Sequence, residues 1–283
     1  MRNIFLQVIN RQNAGKILAL LLVATFVTSC SKKNREERYI AREVGTLYNQ
    51  GKTHLDRKNY ATAAAYFDEV ERQHPYTSWA RRAQLMSAYS YYQANDYDEA
   101  ILAGERFIAL HPGNSSAPYA FYLIAISYYE QITDVGRDQR VTEQALNALT
   151  QVALRYPDTA YAEDAKLKID LTRDHLAGKE MEIGRFYQSH RQFLPALIRF
   201  RNVIDEYQST THIAEALHRM VEIYLALGVL EEAQQVGAVL GHNFPTSKWY
   251  KYSYSLLTGA DLDLIDPRDK KFLGIFLQGT SQN

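Results

Sequence analysis

The chain carries 8 His and 1 Cys in 283 residues, and their spacing speaks against catalysis. His212 and His218 stand six apart, which puts them on different faces of a helix. His74 and His111 each precede a proline in the same local string, so they read as equivalent structural positions, not as metal ligands. Carboxylate pairs such as Glu231-Glu232 fall at expected helix starts, where they favour the helix dipole. No Gly-rich phosphate loop, HExxH or GxSxG string occurs. One cysteine allows no intramolecular disulfide and no cysteine-rich zinc or iron–sulfur site. The side chain in excess is tyrosine, with 21 copies against 11 Phe and 2 Trp. A ring with a polar tip suits recognition of a partner better than bond-breaking. The reading is therefore a binding protein, not an enzyme, with no cofactor and no metal.

Charge narrows the class of partner. Lys plus Arg and Asp plus Glu balance at 32 each, which excludes a strongly basic nucleic-acid binder. Hydrophobic residues at 46% and charged residues at 23% describe a globular chain long enough to bury a sizeable core. Gly and Pro total only 14 and 7, which favours helices joined by short turns.

The one reactive thiol, Cys30, has a specific context. Arg2, Arg11 and Lys16 give a positive N-terminus, and an eleven-residue apolar run, ILALLLVATFV, follows from Ile17 to Val27. That run is too short to span a bilayer core of about 30 Å as a helix, and it reads as a signal-peptide core. Val27-Thr28-Ser29-Cys30 comes next and resembles the bacterial lipoprotein lipobox, in which the chain is cut before the cysteine and the thiol takes a diacylglycerol. Val27 and Ser29 depart from the commonest residues of that box. By the same resemblance Ser31, in place of Asp, implies sorting to the outer membrane. Removing Arg2, Arg11 and Lys16 from the 32 basic residues leaves 29 against 32 acidic ones in the mature chain. Ser31 to Arg38 is polar and charged and reads as a short tether.

Beyond the tether the chain repeats. An aromatic residue or His followed by Pro and small polar residues recurs at His74-Pro75, His111-Pro112, Tyr156-Pro157 and Phe244-Pro245, with a copy at Tyr207-Gln208 that has lost the proline. Twelve residues before each second position stands an alanine: Ala63, Ala100, Ala145, Ala196 and Ala233. Earlier still come Gly51, Ala88, Ala125, Gly184 and Val221, each followed three residues on by Tyr91, Tyr128, Tyr187 or Tyr224, or by His54 in the first copy. A small residue lets two helices approach, and Pro ends the second one because it cannot donate to the helical ladder. The expected helix pairs are 43–57/60–74, 78–94/97–110, 116–131/140–155, 161–189/193–206 and 211–227/230–243. Ile132 to Gln139 is an inserted loop, and another helix lies near Lys248 to Leu257.

The pattern resembles the tetratricopeptide repeat, with Ala63/Phe67 and Ala196/Phe200 matching it fully and Gly104 and Gly237 replacing the Phe elsewhere. The fold class expected is all-α, a right-handed solenoid of five such helical hairpins. The domain reading is a signal peptide over 1–29, a lipid anchor and tether over 30–40, the solenoid over 41–258 and a capping tail over 259–283. In that repeat family the first helix of each hairpin lines the concave groove. The resemblance then points Tyr48, Lys52, Arg82, Tyr89, Tyr92, Tyr119, Tyr122 and Tyr129 inward as a peptide groove, with Lys52 and Arg82 placed to pair with a terminal carboxylate. The same tyrosines also fit plain repeat packing.

Three strings carry a narrower resemblance: HPYTSWARRAQLMSAYSYYQANDYDEAI from His74, APYAFYLIAISYYEQI from Ala117 and RDHLAGKEMEIGRFY from Arg173. With the lipobox and the inserted DVGRDQ, they resemble the BamD (ComL) family, lipoproteins of the outer-membrane β-barrel assembly machinery. That resemblance implies a scaffold lipid-anchored on the periplasmic face of the outer membrane. It implies N-terminal repeats that receive the C-terminal segments of unfolded outer-membrane proteins. It further implies C-terminal repeats that dock a POTRA domain of the central barrel, BamA, with Arg199 at the family's contact position, and other assembly lipoproteins as companions. Two alternatives stay open on the sequence: another repeat lipoprotein, such as a pilotin for secretion or pilus assembly, and a cell-wall enzyme using the repeats as an adaptor.

Overall fold

The computed structural model describes residues 42–259. The signal segment, Cys30, the tether and the tail after Gly259 lie outside the described residues. Among the described residues there are eleven α-helices and no strand: α1 (Val44–Asp56), α2 (Tyr60–Gln73), α3 (Ser78–Gln93), α4 (Tyr97–Leu110), α5 (Ala117–Glu130), α6 (Arg140–Arg155), α7 (Ala160–Ser189), α8 (Phe193–Glu206), α9 (Ile213–Ala226), α10 (Leu230–Asn243) and α11 (Lys248–Thr258). Odd and even helices pair as five hairpins, and α11 stands alone after them. Each helix packs on the next, and first helices also pack on first helices, α1 on α3, α3 on α5, α5 on α7 and α9 on α11. This is the stacked-hairpin solenoid expected from the repeats.

The turn chemistry is periodic. His74, His111, Tyr156 and Phe244 close the second helices with φ near −135 to −132° and ψ of 52 to 53°. Tyr207 adopts the same bend (φ −124°, ψ 45°) without a proline after it. Its amide donates to Val203 O and its carbonyl accepts from Thr210 N, so the hydrogen bonds hold the turn that Pro stiffens elsewhere. Thr77, Thr159 and Ser247 then cap the next helix through their hydroxyls. Inside four hairpins one left-handed residue turns the chain: Lys58, Asn95, Arg191 and Gly228, with φ between 59 and 74°.

Packing follows the small-residue rule. Ala63, Ala100, Ala145, Ala196 and Ala233 are all fully buried. A Cβ at Gly51 would sit 2.9 Å from Phe67 Cε1, and one at Gly184 would sit 2.5 Å from Phe200 Cε1. Each glycine therefore admits the ring of its own hairpin partner, and each buried ring contributes roughly 1.5–3 kcal/mol. The third hairpin breaks the rhythm. Its loop over 131–139 is pinned to α7 by Lys179 Nζ, which donates to Gly136 O at 3.1 Å. Helix α7 is 30 residues long and serves two neighbours. Its first half buries Ala165 and Ile169 against Leu149 and Val152 of α6, and its second half buries Ala177 and Met181 with α8 and α9. Helix α11 covers α9 with Tyr252 and Ser253 and leaves Lys248, Lys251, Tyr254 and Thr258 exposed among the described residues.

Candidate functional site

Helices α3, α5 and α7 bring five tyrosines together. Tyr89 and Tyr92 lie one turn apart on α3, as do Tyr119 and Tyr122 on α5. Tyr161, at the start of α7, places its ring 5.6 Å from Tyr119 and 5.1 Å from Tyr122. The apolar floor beneath Tyr89, Tyr92 and Tyr122 is Ala88, Ala103, Leu123 and Ile126. Burial pushes the Tyr119 phenol upward, helped by its neighbours Tyr89, Tyr161 and Tyr92. Tyr122 is also pushed up, first by burial and then by donating its hydroxyl to Asp164 Oδ2 at 2.6 Å. Burial alone would raise Asp164, but hydrogen bonds from Tyr122 and Lys168 overcome it and hold the carboxyl below its usual range. Lys168 Nζ lies 2.9 Å from Asp164 Oδ2 and 5.5 Å above the Tyr129 ring. Raised in this way, the Tyr119 and Tyr122 phenols stay neutral at physiological pH. The face is a set of aromatic walls carrying hydroxyl donors, with one clamped ion pair at its edge.

The expected groove residues divide on this geometry. Tyr89, Tyr92, Tyr119 and Tyr122 share the cluster, and Tyr129 joins it through Lys168. Tyr48 is wedged between Phe67 and Trp79, with ring centroids 5.4 and 5.0 Å away, and packs the first hairpin. Lys52 and Arg82 are exposed and make no ion pair among the described residues. Arg82 precedes Tyr89 on the same face of α3 by two turns, about 10 Å.

Tyr161, Asp164 and Lys168 escaped the sequence reading. A signal for Tyr161 exists: an aromatic stands two residues after the capping hydroxyl at Thr77/Trp79, Thr159/Tyr161 and Ser247/Trp249. Each such ring meets an aromatic of the preceding first helix, Tyr48, Tyr122 or His218.

The second candidate region lies in the fourth and fifth hairpins. Arg199 on α8 is half-buried, and its Nη1 donates to Glu180 Oε1 at 3.0 Å, while Asn202 Nδ2 donates to Glu180 Oε2 at 3.1 Å. Nearby a buried network ties α7, α9 and α11 together. Gln188 and Arg219 both donate to Glu222 Oε2, at 2.9 and 3.0 Å. His218 sits 3.4 Å from Glu222 and shares a hydrogen bond of 2.9 Å with Ser253 Oγ. Arg185 pairs with Glu215 at 3.1 Å, and Trp249 covers both His218 and Arg219. Burial opposes ionisation of Glu222, but His218, Arg219 and Gln188 outweigh it and hold the carboxyl at about 2. Among the described residues no cluster of His, Cys, Asp and Glu could hold a metal, and no helix is long and apolar enough to cross a membrane.

The chain matches a family model described as YfiO, outer membrane lipoprotein, over residues 41–240. It is 54% identical over 247 residues to the outer membrane protein assembly factor BamD of Caulobacter vibrioides, covering 87% of this chain and 81% of that protein. The chain belongs to the BamD family. The BamD of Rickettsia prowazekii is 46% identical across 86% of this chain and 96% of its own length. Among solved structures, a thermophilic TPR protein of Thermus thermophilus matches 76% of this chain and 100% of its own at 18% identity, with a TM-score of 0.35. The BamD relatives are named as outer membrane protein assembly factors, and the role of this family member lies in outer-membrane protein assembly. The matched region spans both the tyrosine face and Arg199.

Proposed function

We propose that this BamD-family chain is a scaffold anchored through lipid on Cys30 at the periplasmic face of the outer membrane. Its N-terminal repeats receive the C-terminal segments of unfolded outer-membrane proteins, and its C-terminal repeats dock a POTRA domain of the central barrel, BamA, beside other assembly lipoproteins. The observation that carries the reading is the tyrosine face of α3, α5 and α7, where half-buried rings and their hydroxyls converge on an apolar floor. Such a face takes up an aromatic chain end by stacking while its hydroxyls meet the main chain. For Arg199, the support is its partial exposure and its spare donors: among the described residues only Nη1 is spent, on Glu180, and a guanidinium offers five N–H groups. At Cys30 each buried acyl CH₂ contributes about 0.8 kcal/mol, so two or three chains anchor the body stably.

The binding test uses a synthetic peptide ending in a free aromatic residue. Tyr119→Ala combined with Tyr161→Ala is expected to weaken its affinity about tenfold, from the loss of two aromatic contacts. Unchanged affinity would sink the substrate assignment. Docking is tested by affinity purification from solubilised membranes with the charge-swapped pair Glu180→Arg/Arg199→Glu, which keeps the local ion pair. Loss of the barrel protein from the swapped variant supports Arg199 as the contact, and full retention reduces Arg199 to a partner of Glu180. Cys30→Ala is expected to release the protein from the membrane fraction, and retention there would refute the lipid anchor.

A further inference from the structure

Helix α5 carries a second face. Tyr119, Tyr122 and Tyr129 lie on one side of it, and Phe121, Ile124 and Tyr128 lie roughly half a turn away at about 100° per residue. That other side forms the floor of a cavity of about 500 Å³ between α4 and α6. Ile108 and Ala109 of α4 and Ala148 of α6 extend the apolar surface. Along α6, Gln144, Asn147 and Gln151 recur at three- and four-residue spacing, so their amides line one wall. The amides of Gln144 and Asn147 make no hydrogen bond among the described residues.

The two ends of the groove are oppositely charged. At the Phe121 end, Arg155 lies 5.1 Å above the ring, and its Nε donates to Gln151 Oε1 at 2.9 Å. Its remaining donors meet no carboxylate among the described residues. At the Tyr128 end stands Glu105, close enough to add to the effect of burial in pushing that phenol upward, and it pairs with no cation among the described residues. Phe121 to Tyr128 spans about 10 Å of helix, the length of about three residues of extended chain. An extended segment of that length sends two side chains, at i and i+2, to one face. Free side-chain amides, each with a donor and an acceptor, match the main-chain groups of such a segment, which has no sheet partner of its own.

We infer that the groove between α4 and α6 is a second client site, taking an internal extended segment in which two apolar residues alternate with a polar one and an acidic residue follows at Arg155. The apolar pair lies on Phe121 and Ile124, and the amides of α6 hold the main chain. The inference rests on the proposed role with unfolded outer-membrane proteins, whose strands alternate in this way. It assigns them a contact on the side of α5 away from the tyrosine face.

The test uses the full lipoprotein in detergent and a nine-residue peptide of alternating apolar and polar residues with one Asp, acetylated and amidated so that it has no free carboxyl end. Binding is read by fluorescence anisotropy. Arg155→Glu is expected to weaken the peptide about tenfold, and replacing the peptide Asp by Lys is expected to restore binding to that variant. Asn147→Trp, at an exposed position, is expected to block the groove with the fold intact by circular dichroism. If both variants bind as wild type while Tyr119→Ala/Tyr161→Ala does not, the peptide belongs to the tyrosine face. The groove assignment then falls and the proposed function stands. If wild type binds neither this peptide nor the one with a free aromatic end, both readings fall together.

Discussion

At the scale of single residues, the tyrosine face is organised by one hydrogen bond that crosses two helices. Tyr122 on α5 donates to Asp164 on α7, and Lys168 neutralises the same carboxylate. Tyr122→Phe keeps the ring and removes the donor, at an expected cost of about 1 kcal/mol in urea unfolding. The Asp164 carboxyl, held down in part by that bond, is expected to titrate closer to its ordinary range in the variant, which NMR can follow. Glu222 makes the larger pH prediction. Its folded value of about 2 lies below the ordinary glutamate value of about 4.3. The stability it contributes is therefore fully present above about 4.3 and is lost as pH falls towards about 2. Thermal midpoints recorded from pH 7 to 3 are expected to drop below that threshold, and Glu222→Gln is expected to flatten this part of the profile. Glu222→Ala takes a carboxylate from the buried Arg219 guanidinium and is expected to cost about 3–5 kcal/mol.

At the scale of helices and turns, close approach and backbone handedness set the tolerances. Gly184→Ala drives a methyl into the Phe200 ring, which is fully buried and has nowhere to move. The expected loss is about 1–3 kcal/mol, seen as a lower denaturation midpoint. Arg191 sits at φ 59° in the turn between α7 and α8, where its counterpart between α9 and α10 is Gly228. Arg191→Gly relieves a left-handed strain of about 1–2 kcal/mol and concedes about 1 kcal/mol of chain entropy. A neutral to slightly stabilised protein is the expected outcome, and a clear loss would mean that the arginine side chain is held by something the turn geometry does not explain. These elements were readable beforehand: the five buried alanines and the proline-marked bends lie where the repeat spacing puts them. The crossing of α5 and α7 was not, because Tyr122 and Asp164 are 42 positions apart and only the stacking of hairpins makes them neighbours.

At the scale of the whole molecule, the solenoid couples neighbours and leaves its ends independent. Removing α11 by truncation before Ser247 takes away Ser253 from His218 and Trp249 from Arg219. Hydrogen exchange is expected to quicken in α9 and α10 and to stay unchanged in α1 to α4; equal quickening throughout would contradict a nearest-neighbour stack. What the sequence alone determined is local: helices, their ends, the small-residue crossings and the solenoid class all follow from spacing within about forty residues. What only the tertiary structure decided is which faces meet. It separated Tyr48, a packing residue, from the tyrosines that converge around Tyr161, and it gave Arg199 a partner in Glu180. The reason is physical: a repeat fixes how each helix is made, but the rotation of one hairpin on the next determines which side chains share a surface.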